Sequence, residues 1–217
     1  MHKKTTHKLI TAAIGVAASQ SAQAAFFSAD VSSAGLSYST TTAGSIYLDF
    51  DSMSASTSSI TGADLTIRNG AKPGLSGFTN SENPYAKASN GWLIPNEPIQ
   101  GLPFDFTIKL AEGEPLNVGD SIGAFANLEF NQYGPWDSPN DGVGYFGITN
   151  GPAQAWVKIN YNDAANTLQL LAFGYNSDGA ILAGQTSAIP EPASAAAMAA
   201  LLAGGVAAFG RRQKRAA

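Results

Sequence analysis

Apolar and polar residues alternate in short runs along this chain, and Gly, Pro, Asn, Asp and Ser separate the runs. Over residues 154–162, Ala155, Val157, Ile159 and Tyr161 share one parity, while Trp156, Lys158, Asn160 and Asn162 share the other. Over residues 104–110, Phe104, Phe106, Ile108 and Leu110 oppose Asp105, Thr107 and Lys109. A period of two sends successive side chains to opposite faces of a sheet, so both runs read as strands with one covered face and one wet face. The same reading predicts strands over 30–39, 45–50, 63–69, 121–130, 144–149 and 167–176. "NDAAN" joins 154–162 to 167–176 as a short polar hairpin loop.

Two stretches break this rhythm. Residues 70–101 hold four prolines and five glycines, which predicts a long excursion with one short strand around Trp92 to Ile94. "NQYGPWDSPNDGVG", residues 131–144, is a second long turn region. About eight strands punctuated this way predict a mainly β fold, a single antiparallel β-sandwich or jelly-roll-like domain over residues 25–189.

The ends follow a different pattern. Residues 1–24 begin with Lys3, Lys4 and Lys8, continue through the apolar run "LITAAIGVAA" and exit through Ala22-Gln23-Ala24. A basic start, a short apolar stretch and a small-residue exit predict a secretory signal peptide cleaved after Ala24. At the other end, residues 194–210 are seventeen small or apolar residues, followed by Arg211, Arg212, Lys214 and Arg215. That length predicts a short transmembrane helix, and the basic tail would stay on the cytoplasmic side.

Charge separates the body from its ends. Residues 25–189 carry fifteen acidic and five basic residues, a net charge near -10, whereas the whole chain carries -4. An acidic body lacks the basic footprint that nucleic acid requires, and it would not dock on anionic lipid. Cysteine is absent, so an exported fold must rest on packing rather than disulfides.

Chemistry is narrowed by what the body lacks. The only histidines are His2 and His7, in the predicted signal peptide. Gly119-Asp120-Ser121-Ile122-Gly123 therefore has no imidazole base to activate its serine, and it reads as a turn entering a strand. Zinc, copper and haem sites lose their usual ligands for the same reason. Paired carboxylates could still serve glycoside hydrolysis, with Glu97, Glu112, Glu114 and Glu129 as candidates. Asp137, Asn140 and Asp141 fall in one turn and are a candidate calcium set; no other cofactor is expected. Trp92, Tyr133 and Trp136 lie in the long loops. They are candidates for stacking on a sugar, although the plainer reading is that they pin those loops down.

The C-terminal arrangement carries a resemblance. Pro190, Glu191 and Pro192, then a short apolar segment, then the basic cluster resemble the bacterial PEP-CTERM sorting signal in order, spacing and position. Residues 144–192 also look like the final hairpin of many small secreted bodies that carry this signal in Gram-negative bacteria. The resemblance implies that residues 190–215 are a temporary anchor. A membrane protease-transpeptidase, an exosortase, would recognise Pro190-Glu191-Pro192 and release the body to the cell surface or an exopolysaccharide matrix. The expected function is then a non-enzymatic exported protein, structural or adhesive in biofilm. A carbohydrate-binding module and a histidine-independent glycoside hydrolase are the alternatives.

Overall fold

The computed structural model describes residues 26–42, 44–69, 84–98, 105–116, 121–129, 134–136, 139 and 141–187. The signal peptide, the sorting motif Pro190, Glu191 and Pro192, the apolar run and the basic tail all lie outside the described residues. Among the described residues no helix is long and apolar enough to cross a membrane. The fold is mainly β, built from antiparallel and mixed sheets.

The first sheet holds β1 (Phe26–Asp30), β2 (Ser37–Ser39), β11 (Gly142–Asn150), β12 (Ala153–Asn162) and β13 (Thr167–Asn176). Its order is β1-β13-β12-β11, with β2 also on β13, and every pair is antiparallel. The second sheet holds β3 (Ser45–Asp49), β4 (Ser54–Ser56), β5 (Leu65–Asn69), β6 (Pro84–Ala88), β7 (Ile94–Pro98), β8 (Asp105–Thr107), β9 (Ser121–Gly123) and β10 (Phe125–Asn127). Its order is β4-β3-β5-β6-β10-β8-β7-β9, and β10 runs parallel to β8 where Asn127 faces Phe106.

Alternation places the core as the sequence predicts for the longest strands. Ala155, Val157, Ile159 and Tyr161 of β12 are buried together with Phe146, Ile148, Leu168, Leu170 and Phe173 from the same sheet. Ile46, Leu48, Leu65, Ile67, Ala86 and Leu128 join them from the second sheet, so the two sheets share one apolar core. A smaller cluster covers the other face of the first sheet: Trp156 and Tyr145 pack there with Leu110, Leu116, Ile181 and Ala183. Trp156 is thus buried on the face expected to be wet, because the segments around 110–116 and 181–183 fold across it.

Four sequence expectations change. The run 30–39 is two strands, split by a 3-10 turn at Ser32–Ala34 and by Gly35 at φ 64°. The Asp30 carboxylate fixes that turn by accepting from the Ser32 amide at 2.9 Å. β1 and β2 both still run along β13, which binds the segment between them through Val31 N to Leu171 O at 2.9 Å and Leu170 N to Leu36 O at 2.9 Å. The run 121–130 also divides: β9 pairs with β7, while β10 moves to β6 and β8. The described part of 70–101 contains two strands rather than one. Pro84 opens β6, a position where a missing N–H costs nothing to the ladder, and Pro95 and Pro98 lie on β7. Among the described residues of 104–110, Asp105–Thr107 is strand, and Thr107 is fully buried with its hydroxyl accepting from the Trp136 N–H.

Candidate ligand-binding cleft

On the outer face of the first sheet lies a cleft of about 220 Å³. Its floor is Trp156, Lys158 and Ala172, one wall is Ser28 to Asp30 of β1, and the other is Glu112, Gly184 and Thr186. The strand register builds it. Tyr145 stands opposite Lys158 across β11 and β12, while Gly174 faces Trp156 and Ser28, and Ala172 faces Lys158 and Asp30. The small residues are required by the large ones: a Cβ on Gly174 would lie 2.5 Å from the Trp156 indole. Gly184, at φ +75°, would place a Cβ 2.9 Å from the Tyr145 hydroxyl and 3.0 Å from Glu112 Cγ.

Charged and hydroxyl groups reach this cleft from three separate parts of the chain. The Tyr145 hydroxyl donates to Glu112 Oε2 at 3.4 Å. The Lys158 ammonium lies 5.1 Å from the centre of the Tyr145 ring. Its hydrogen bond to the Tyr145 hydroxyl pushes its pKa above the ordinary lysine range, partly opposed by burial, with Tyr145, Glu112 and Asp30 adding to the rise. Asp30 moves the other way: hydrogen bonds from the Ser32 hydroxyl and amide hold its carboxyl below the usual range. Tyr145 and Trp156 stack edge to face at 5.7 Å and stiffen the floor. The Trp156 N–H is buried with no acceptor.

These directions bear on what the cleft can do. A general acid or base works best with a pKa near the operating pH. Here the ammonium is driven further above neutrality and the Asp30 carboxyl further below it. The arrangement holds fixed charges, which suits hydrogen-bonded recognition.

The residues singled out from sequence lie elsewhere. Trp92 is buried, with its ring 5.1 Å from Phe50 and 5.8 Å from Tyr175. Trp136 is fully buried; its N–H donates to Thr107 Oγ1 at 3.2 Å and the Lys109 ammonium lies 4.5 Å over its ring. Neither presents a face for a sugar, which corrects the exposed-loop placement: each pins its loop to the interior. Tyr133 lies outside the described residues, as do Asp137 and Asn140 of the candidate calcium set. Asp141 is described, and its Oδ2 accepts from the Asp163 amide at 3.2 Å. Among the described residues no group of three or more acidic, histidine or cysteine side chains is placed to hold a metal ion.

Sequence reasoning did not assemble this cleft. Lys158 is legible as a wet-face residue and Glu112 as a candidate carboxylate, but the strap at 181–186 that brings Gly184 and Thr186 to them leaves no periodic trace. The chain matches no family model, no curated protein and no solved structure.

Proposed function

We propose that this protein is exported, anchored for a time by residues 190–215, and released as a single β-sandwich body that serves as non-enzymatic surface or matrix material. The observation that carries the reading is the C-terminal order of Pro190-Glu191-Pro192, apolar run and basic cluster, set behind a signal-peptide-like start. In this reading an exosortase-type enzyme is the processing partner, and an exopolysaccharide matrix is the destination.

The use of the acidic side chains supports a structural role for the body. Asp64 accepts from the buried Phe50 amide at 2.9 Å, Asp49 from Ser52 at 3.1 Å, Glu114 from Ala111 at 2.8 Å and Asp141 from Asp163 at 3.2 Å. These carboxylates fix turns and strand ends. The experiment is localisation and intact mass of the protein in cells with and without the sorting protease. A mature form ending near the motif and found outside the cell is expected; one that keeps Arg211 to Arg215 sinks the proposal.

A second reading, carbohydrate binding, is favoured by the cleft rather than by the loop aromatics. It concerns what the released body holds, and it is independent of how the body is sorted.

A further inference from the structure

We propose that the cleft between β1 and the 181–186 strap binds one unit of a neutral sugar through a pair of adjacent hydroxyl groups. The inference gives the carbohydrate reading its site and rests on that reading, not on the sorting signal.

The set of donors and acceptors around the cleft carries it. Glu112 accepts from Tyr145 at 3.4 Å, the Lys158 ammonium lies 5.1 Å from the centre of the Tyr145 ring, and Asp30 lies across β13 from Lys158 on the far side. Two acceptors, a hydroxyl and a donor thus line one cleft, together with Thr186 and Ser28. A sugar hydroxyl donates one hydrogen bond and accepts others. Two neighbouring hydroxyls can therefore each donate a hydrogen bond to Asp30 or Glu112 and accept one from Lys158. Bonds in which one partner is charged are about twice as strong as neutral ones, so three fixed charges suffice to orient a small ligand.

Charge selects within that class. Two carboxylates face one ammonium, and that ammonium lies over the Tyr145 ring at 5.1 Å. A ligand carboxylate or phosphate would be repelled by Asp30 and Glu112, while a ligand ammonium would compete with Lys158 for the same acceptors. An uncharged polyol meets neither penalty. Size agrees: about 220 Å³ is below the 300–1,000 Å³ typical of drug-sized ligands, so it suits one ring or a chain end. The half-buried Ala172 on the floor supplies a small apolar contact for a sugar's C–H face.

The test uses the full-length chain, 15N-labelled, in a detergent whose headgroup is not a sugar. The chain has three tryptophans, so three indole N–H signals report, and that of Trp156 is identified by its loss in Trp156→Phe. Glucose, galactose, mannose and rhamnose are titrated singly, with glucuronate and glucosamine as charged comparisons. The expected result is a saturable shift of the Trp156 indole and the Gly184 amide with at least one neutral sugar, at a Kd of about 1 mM or weaker. Lys158→Met and Glu112→Gln should each weaken it at least about tenfold while the rest of the spectrum stays dispersed. Three results would overturn the proposal: no saturable shift with any neutral sugar, shifts only with a charged one, or shifts indifferent to both substitutions.

Discussion

Asp64 concentrates the chemistry of a buried carboxylate into one position. It is 5% exposed, and its two oxygens accept from the Phe50 amide at 2.9 Å and the Asn90 side chain at 3.1 Å. Asp64→Ala leaves the buried Phe50 N–H without an acceptor, whereas Asn90 still donates to Gly62 O at 2.7 Å. Leaving one buried donor unmet costs about 1–3 kcal/mol, so the urea midpoint should fall with the slope unchanged. Asp64→Asn keeps an acceptor oxygen and should recover most of the loss; equal losses in both variants would count against the Phe50 contact. In the sequence Asp64 is indistinguishable from the acids that face solvent in turns. Trp92 and Trp136 were illegible for a related reason. A long Pro- and Gly-rich stretch identifies a loop, but only the fold shows that Trp92 and Trp136 are buried.

Elements were read best where the strands are longest. β13 spans Thr167–Asn176, the run its alternation predicts, and the hairpin loop before it closes through Asn166 N to Asp163 O at 3.0 Å and Ala165 N to Asn162 Oδ1 at 2.8 Å. The three-residue strands leave little trace in the sequence, because a period of two needs several repeats before it stands out from chance. The strap at 181–187 is the element with most consequence for the cleft. Ile181 and Ala183 are each 1% exposed, and the backbone is held by Gly113 N to Ala183 O and Ala183 N to Glu114 O, both at 2.8 Å. Truncating a buried Ile to Ala costs about 2–5 kcal/mol, and here the loss falls on a segment outside the main core. Ile181→Ala should therefore loosen the strap before the sheets. Limited proteolysis should cut within 178–187 while the β12–β13 hairpin keeps its amide protection, and a variant as resistant as the parent would show that the backbone bonds alone hold the strap.

The response of the whole molecule to alkali follows from where its tyrosines sit. Burial pushes the Tyr38 and Tyr161 hydroxyls well above the ordinary tyrosine range, and burial raises Tyr85 and Tyr175 as well. Above the ordinary pKa of about 10 the unfolded chain loses these protons while the folded chain keeps them. The unfolded state then binds fewer protons, so stability falls as pH rises, by about 1.4 kcal/mol per pH unit for each hydroxyl held protonated. Lys158, raised by Tyr145, adds to the fall, whereas Lys109, lowered by burial, opposes it. With no cysteine in the chain, no disulfide offsets the loss. Tyr38 isolates the effect, because its buried hydroxyl has no hydrogen-bond partner in the fold. Tyr38→Phe removes a titrating group without breaking a bond, so at pH 7 its urea midpoint should match or exceed that of the parent. Between pH 10 and 11 the parent should lose about 1 kcal/mol more stability than the variant, and parallel pH profiles would mean that the Tyr38 hydroxyl is open to solvent.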